Sequence, residues 1–300
     1  MRIRELLQKR EPLAVSLACL VTAGIWVWAI LPRPPALVVT FLNVGEGDAI
    51  VVQTPSGRTV LVDCGPGPSG ERAFDAGSRV VVPFLRHEAV NKLDALVVTH
   101  PHDDHIGGAP SVIANVSVAA VLDAALARPS GRYRELLEKI DERKIPHRRL
   151  RRGQVIDLHD GTVIEVLGPS DGSVQPAGDS ELNNSSVVLR IRYGSIRFLL
   201  AGDADKPAEE EMLSSCGDLS ANVLKVAHHG SSRGTAAGWI AAVRPQVAVI
   251  SVGWKNQFGH PSEQTIARLK ESGAEVYRTD RDGGITITTD GRRLAVATSR

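Results

Sequence analysis

Short apolar runs rich in β-branched residues alternate with amphipathic stretches along most of this chain. Such runs, separated by glycine and proline turns, are typical of strands, whereas apolar positions three and four residues apart are typical of helices. Strands are predicted at 37–42, 49–53, 59–62, from 93 into the stretch before 100, 116–122, 154–158, 162–167, 186–191, 195–200, 223–227, 246–252, 276–277 and 285–289. Helices are predicted at 78–87, 133–144, 236–243 and 263–271. This alternation predicts a layered α/β fold from residue 36 to residue 300.

The first 35 residues have a different pattern. Residues 13–31 contain no charged side chain, and a helix of that length, at about 1.5 Å per residue, nearly crosses the roughly 30 Å hydrocarbon layer of a membrane. Basic residues precede the segment, and Trp26 and Trp28 lie towards its far end. We therefore expect residues 1–35 to form a cytoplasmic N-terminus, a transmembrane signal anchor and a short linker, with the rest outside the cytoplasm. A cleaved signal peptide and a buried core helix are the alternatives.

Composition narrows the classes of protein. Hydrophobic residues make up 43% of the chain but aromatic residues only 4%, which favours an aliphatic core. The net charge is +1, so contact with nucleic acid would depend on a local basic patch. The cysteines Cys19, Cys64 and Cys216 show no spacing typical of a disulfide framework.

The most informative stretch is His-Pro-His-Asp-Asp-His at 100–105. The apolar residues Val97 and Val98 precede it, and Gly107 and Gly108 follow it, which indicates a loop between a strand and a helix. Neutral imidazoles and ionised carboxylates are ligands for zinc, manganese and iron. A solvated polar turn is the alternative, but it would not need so many ligand side chains in so little backbone. The stretch predicts a metal site.

This stretch resembles the His-x-His-x-Asp-His signature of the metallo-β-lactamase superfamily. Further matching stretches follow in order: LVDCG at 61–65, LLAGDA at 199–204 and LKVAHHGS at 224–231. A narrower resemblance, to the extracellular domain of the ComEC/Rec2 family of DNA-uptake proteins, is carried by FLNVGEGDA at 41–49, FGHP at 258–261 and YRTD at 277–280. The resemblance covers residue 36 to the C-terminus and implies a four-layer αββα sandwich over residues 36–300.

The resemblance also implies the ligands of one or two divalent metal ions, zinc or manganese. One position would use His100, His102 and Asp203, and the other would use Asp104, His105, His229 and the shared Asp203. The alternation within the strand before 228 leaves open which of His228 and His229 faces the metal, and the resemblance favours His229.

Two more residues are expected close behind these ligands. Asp63 should orient a histidine ligand, although a simple turn aspartate is the alternative. Many superfamily members have a third metal-binding histidine near residue 184. This chain has none there, and Asn184 is our candidate for contact with metal, water or substrate.

Other residues are assigned to catalysis or substrate binding. Asp104, His228 and His260 are the catalytic candidates, and Ser231 and Asn256 are expected to bind substrate. His260 could instead cap the helix that follows it. Arg148 and Arg149 belong to the only basic run after residue 35, at 144–152, where arginine suits phosphate, but a solvated connector is the alternative.

Together these observations predict a metal-dependent hydrolase, and the resemblance implies a phosphodiesterase or nuclease that cuts DNA through metal-activated hydroxide during competence-type uptake. Hydrolysis of a small extracellular ester, such as a phosphocholine ester or a lactone, is an alternative within enzymes. A non-catalytic DNA-docking module with a structural metal is an alternative outside them. The expected partners are DNA, the membrane through the N-terminal helix, and a separate DNA-channel protein, because one span cannot form a channel.

Overall fold

A computed structural model describes residues 35–68, 74–125, 131–171 and 179–300, together with residue 16 and residues 19–22. The chain divides into two units, Met1–Pro35 and Ala36–Arg300. Residue 16 and residues 19–22 of the first unit are helical, and most of the expected signal anchor lies outside the described residues. Among the helices that are described, none has the length and apolar character needed to cross a membrane.

The strands of the second unit match most of the predicted apolar runs to within one or two residues. In chain order they are β1 Leu37–Phe41, β2 Ile50–Gln53, β3 Thr59–Val62, β4 Lys92–Leu93, β5 Ala95–Val97, β6 Ser117–Val118, β7 Val121–Asp123, β8 His147–Arg149, β9 Val155–Asp157, β10 Thr162–Gly168, β11 Val188–Tyr193, β12 Ile196–Leu200, β13 Val223–Lys225, β14 Val247–Ile250, β15 Glu275–Arg278, β16 Ile285–Thr289 and β17 Leu294–Thr298.

The helices include short turns at the ends of strands as well as longer amphipathic segments. A π-helical turn, Gly77–Val81, leads into α1, and a 3-10 turn, Ala227–Gly230, follows β13. The α-helices are α1 Val82–His87, α2 Asp103–Ile106, α3 Ala109–Asn115, α4 Gly131–Glu142, α5 Asp179–Asn184, α6 Lys206–Ser215, α7 Ala237–Val243, α8 Glu263–Glu271 and α9 Thr279–Asp282.

Two large sheets face each other between outer layers of helices. Within the described ranges, the first sheet has the order β17-β16-β1-β2-β3-β5-β7-β8 and the second has the order β15-β14-β13-β12-β11-β10-β9. One apolar cluster joins Leu61 of the first sheet to Phe198 of the second and extends to Leu136 of α4. A second cluster packs Trp239 of α7 against Leu224, on the other face of the second sheet. The predicted αββα sandwich is therefore confirmed.

Parallel pairing in each sheet brings the loops that carry the polar motifs together. Strand β3 runs parallel to β5, and β12 runs parallel to β13. Because parallel strands end at the same edge of a sheet, Asp63 and the 100–105 stretch lie at one edge, and Asp203 and His229 lie at the corresponding edge of the other sheet.

Two predicted elements differ from the structure, and helices also form where none was predicted. Residues 183–184, expected to open a strand, end helix α5, because the amide of Ser185 donates to the carbonyls of Glu181 and Leu182 and its hydroxyl donates to Leu182 as well. The basic run contains β8, an exposed edge strand rather than a plain connector. Helices α6 and α9 form in segments with no strong apolar period, and α6 is favoured by Pro207 in its first turn.

Glu209 of α6 links this helix to the start of α7. Its side chain is buried and accepts hydrogen bonds from the amides of Thr235 and Ala236, and burial raises the pKa of its carboxyl to about 7. The unfolded chain would titrate near the ordinary value of 4.5. The folded state therefore holds the proton more tightly, and this group's contribution to stability falls as pH rises from about 4.5 to about 7.

We predict that Glu209→Gln removes this dependence. The loss of unfolding free energy between about pH 5 and about pH 8 should be smaller than in the wild type by roughly 2 to 3 kcal/mol, measured by urea denaturation at each pH. Glu210→Gln, an exposed change in the same helix, is the matched control and should keep the wild-type slope. Equal slopes in wild type and Glu209→Gln would contradict the assignment.

Candidate metal centre

Four loops at the strand ends converge on one point. They follow β3, β5, β12 and β13, and they carry Asp63, the 100–105 stretch, Asp203 and His229 in that order. The last of these loops contains two consecutive non-glycine residues in the left-handed region, His228 at φ 48° and His229 at φ 53°. Such a conformation is costly and persists only where surrounding contacts hold it, and here it turns two adjacent imidazoles towards the same cavity.

The first group of ligand atoms belongs to Asp104, His105, Asp203 and His229. These atoms all lie within 4.8 Å of one another. Asp203 Oδ1 is 3.3 Å from His105 Nε2, and Asp203 Oδ2 is 3.5 Å from His229 Nε2. His229 Nε2 is also 3.1 Å from Asp104 Oδ2. The structure thus brings together all the residues expected at one of the two positions.

The second group lies beside the first and shares Asp203. His100 Nε2 is 3.0 Å from His102 Nδ1 and 3.8 Å from Asp203 Oδ2. Two imidazole nitrogens and a carboxylate oxygen are ligands that a divalent metal accepts. Asp203 therefore occupies the shared position between the two groups.

Buried atoms of this cluster fit a cation. His105 Nε2 and Asp203 Oδ1 are buried and, within the described ranges, have no hydrogen-bond partner. Unpartnered buried polar atoms cost free energy unless an ion or another group satisfies them. Imidazole nitrogens and carboxylate oxygens are the donors that zinc and manganese accept, so the residues present fit a divalent metal.

The electrostatics of the cluster support the same conclusion. Burial disfavours ionisation of Asp203, but His229 and His105 outweigh it and hold the pKa of this carboxyl well below its ordinary value. Burial likewise opposes charge on His105, yet Asp203, Asp104 and Asp63 raise its imidazole pKa well above the ordinary value. Burial and the neighbouring His105 lower the pKa of His100. The Asp203 carboxylate is therefore ionised and is stabilised by nearby positive charge. A bound metal would supply that charge and would displace the protons held by the imidazoles.

Hydrogen bonds behind the ligands fix the orientation of the two central imidazoles. His105 Nδ1 donates to Asp63 Oδ2 at 2.8 Å, and the Thr99 amide and hydroxyl donate to the same carboxylate at 2.8 and 2.7 Å. His229 Nδ1 donates to the carbonyl of Ser251 at 3.0 Å. Each ring therefore turns Nε2 towards the cluster, with Asp63 in the position expected for an orienting residue.

A second pair of histidines faces the cavity without belonging to the tight cluster. His228 Nδ1 donates to Asp205 Oδ1 at 2.8 Å, and Asp205 also pairs with Arg233 at 2.8 Å. His260 Nδ1 donates to Glu46 Oε1 at 2.9 Å. The rings of His228 and His260 lie 5.6 Å apart, centre to centre, so two oriented imidazoles flank the candidate metal position.

The cluster opens into a cavity of about 810 Å³. Besides the ligands and the two flanking histidines, the lining includes an acidic, an amide, a basic and two aromatic side chains: Glu46, Asn183, Arg233, Phe74 and Phe258. This volume lies within the range of about 300 to 1,000 Å³ that is usual for the ligand-binding cavities of proteins.

Other predicted residues lie elsewhere. Asn184 Oδ1 accepts from the amide of Ala208, whereas Asn183 lines the cavity with its Nδ2 3.3 Å from His228 Nδ1. The expected asparagine is thus one residue earlier, because residues 179–184 are helical and successive side chains point in different directions. Ser231 is buried, and its hydroxyl accepts from the Arg233 amide at 3.3 Å, so it shapes the histidine turn rather than lining the cavity.

Asn256 and the two arginines also differ from their expected positions. Asn256 Nδ2 donates to the backbone carbonyls of Gly253 and His260, and Asn256 Oδ1 accepts from the backbone amide of His260. The Asn256 side chain therefore holds its own loop together. Arg148 and Arg149 line a separate cavity of about 630 Å³. Their strand is the edge of the first sheet, and they do not line the metal cavity.

Sequence reasoning missed a buried ion pair behind the centre. Lys225 Nζ lies 2.6 Å from Asp48 Oδ2, and both side chains are almost fully buried. Asp48 is 4.0 Å from His105 Nδ1 and 3.8 Å from His229 Nδ1. The pair therefore supports both histidines from behind. Lys225 lies inside a run interpreted as an apolar strand, so only the three-dimensional structure reveals its partner.

A glycine allows the loop that carries Asp48 to approach the centre. Gly47 has a φ of +131°, and a β carbon there would overlap the carbonyl oxygen of Asp104. The amide of Asp48 donates to that same carbonyl. Glycine at position 47 is therefore required by this close backbone contact, which places the 41–49 stretch against the loop of metal ligands.

The fold and the cluster of ligand side chains are together typical of metallo-hydrolases. The family model described as Metallo-beta-lactamase superfamily matches residues 42–254, and the chain belongs to this superfamily. A solved metallo hydrolase from Ignicoccus hospitalis KIN4/I covers 84% of this chain and 98% of its own, with a TM-score of 0.55 and 18% identity, which shows the shared fold.

Two curated relatives match most of this chain. ComE operon protein 3 of Bacillus subtilis is 31% identical over 82% of this chain and 32% of its own length. Competence protein ComA of Neisseria gonorrhoeae is 30% identical over 87% of this chain and 35% of its own length. The chain thus spans about a third of each of these relatives.

We predict that Lys225→Met destabilises the metal-free protein by about 3 to 5 kcal/mol, because the buried Asp48 then loses its nearest counter-charge, which lies 2.6 Å away. The double variant Asp48→Asn with Lys225→Met should recover much of this loss. Urea denaturation in the presence of a chelator measures both effects, and Lys270→Met, an exposed lysine change in α8, is the control. A stable single variant, or a double variant no better than the single one, would contradict this role for the pair.

Proposed function

We propose that this protein is a metal-dependent phosphodiesterase that cuts DNA. The observation that carries the proposal is the position of Asp203 between two groups of histidines at the base of an open cavity. Paired metal positions of this kind suit hydrolysis of a phosphodiester, because the reaction needs an activated water and neutralisation of phosphoryl charge.

The ligands would be divided as the distances suggest. His100, His102 and Asp203 would hold one ion, zinc or manganese, and Asp104, His105, His229 and the shared Asp203 would hold a second. Bound divalent metal would make hydroxide available near neutral pH and withdraw charge from a phosphoryl oxygen. Asp104 is only partly buried, with 32% of its side chain exposed, and it can also accept a hydrogen bond from the attacking water.

The two flanking histidines provide hydrogen bonds and proton transfer. His260 has its Nδ1 engaged by Glu46, so its Nε2 is the atom available to protonate a leaving oxygen. His228 is held in the same way by Asp205 and can donate to a phosphoryl oxygen. Arg233, whose side chain is 50% exposed, adds a positive charge at the cavity wall where a phosphate would lie.

The name of one relative and the charges at the cavity support this substrate. That relative is named a competence protein, and the flanking imidazoles and Arg233 suit a phosphate diester better than an uncharged lactone. We further propose that residues 1–35 anchor the domain at the outer face of a membrane, where it acts on DNA beside a separate channel protein.

Cleavage by the full-length chain in detergent tests the proposal. Single- and double-stranded DNA should be cut when Mn²⁺ or Zn²⁺ is present, and a chelator should stop the reaction. His102→Ala should lower the rate by roughly two orders of magnitude or more, because it removes a ligand. Gel electrophoresis of end-labelled DNA measures the rate.

The matched control is His87→Ala, which changes an exposed histidine at the end of α1 and should cleave like the wild type. Equal cleavage by wild type and His102→Ala would assign the activity to a contaminant and refute the proposal. Hydrolysis of a chromogenic phosphocholine ester or a lactone, with no DNA cleavage, would replace DNA by a small ester as the substrate.

A further inference from the structure

Two exposed aromatic side chains line the metal cavity, and a third lies on a loop that contributes one of them. In the part of the chain that the structure describes, the exposed aromatic residues are Phe74 at 39%, Trp254 at 69% and Phe258 at 61%. Phe74 and Phe258 line the cavity, and Trp254 lies on the same loop as Phe258. The chain has few aromatic residues, so this concentration at one place requires an explanation.

Exposure of these rings has a cost that packing elsewhere avoids. Burying a phenylalanine side chain stabilises a protein, although a single exposed apolar residue needs no special reason. Several exposed rings beside a functional cavity are different, because clustered exposed apolar surface marks a binding site.

The loop presents Phe258 in a fixed orientation. The Phe258 amide donates to Asn256 Oδ1 at 3.1 Å, and the Asn256 amide donates to the His260 carbonyl at 2.7 Å. The rings of Phe258 and His260 are stacked, with centres 5.7 Å apart and planes inclined by 23°. A flat group placed against Phe258 would therefore lie next to the imidazole that faces the candidate metal position.

Positive charge accompanies the aromatic rings. Arg233 lines the cavity, and Lys255 Nζ lies 5.8 Å from the centre of the Trp254 ring. Aromatic rings with interspersed cations are the elements with which proteins hold single-stranded nucleic acid, because bases stack on the rings and phosphates meet the cations. Paired bases in a duplex are already stacked on one another and cannot use the rings.

We propose that Phe74, Trp254 and Phe258 form a stacking wall for unpaired nucleobases, which seats a DNA strand with its phosphate towards the metal centre. This inference rests on the proposed function and deepens it, because it makes single-stranded DNA the preferred substrate. It also gives Asn256 a positioning role through the loop.

Binding can be measured apart from cleavage. The probe is a fluorescein-labelled thymidine oligonucleotide of about ten nucleotides, and the protein is the full-length chain carrying His102→Ala. Fluorescence anisotropy should show that adding Phe258→Ala or Trp254→Ala weakens binding about tenfold each. Trp254→Phe should retain most of the affinity. Leu213→Ala, a change of a partly exposed leucine in α6, should bind like the parent.

An abasic oligonucleotide of equal length separates stacking from charge. It should bind weakly and with the same affinity to the parent and to both alanine variants. The inference is overturned if the alanine variants bind the thymidine strand as the parent does, or if they lose equal affinity for the abasic strand. Base-dependent binding in a protein that cuts no DNA would support the stacking wall and refute the nuclease proposal.

Discussion

The buried carboxylate of Asp203 is the feature on which the rest of the site depends. It stands at the end of β12, almost fully buried, with one oxygen facing His105 and the other facing His229 and His100. An ionised carboxylate in such a place is unstable without nearby positive charge. The chain surrounds it with imidazoles from both sheets, so the same electrostatic demand that favours a metal also joins the two halves of the sandwich.

Hydrogen bonds from Nδ1 fix the orientation of four imidazole rings at the site. His105, His228 and His260 each donate Nδ1 to a carboxylate, from Asp63, Asp205 and Glu46, while His229 donates to a backbone carbonyl. The Nε2 atoms of His105 and His229 then face the ligand cluster, and the rings of His228 and His260 line the cavity beside it. Behind them lies the buried ion pair of Asp48 and Lys225. The residues behind the imidazoles therefore fix the orientation of the rings before any ligand binds.

The sequence was most informative where metal-ligand side chains directly follow apolar strands. Ligand side chains placed directly after apolar strands predicted a metal site in a layered α/β fold. The resemblance to the metallo-β-lactamase superfamily implied the αββα sandwich and the convergence of 100–105, Asp203 and His229. Asn183 was missed in favour of Asn184, because residues 183–184 were expected to open a strand, whereas they end helix α5. Arg148 and Arg149 were assigned from local charge, which cannot indicate the sheet edge that carries them. Lys225 was hidden because its partner is distant in the chain.

The content of bound metal tests the central claim most directly. Full-length protein purified without chelator and loaded with Zn²⁺ or Mn²⁺ should retain one or two ions per chain by elemental analysis. Asp203→Asn should lose most of this metal while remaining folded by circular dichroism, because both groups of ligands share that carboxylate. Wild-type protein that retains no metal, or an Asp203→Asn variant that retains as much as the wild type, would contradict the account.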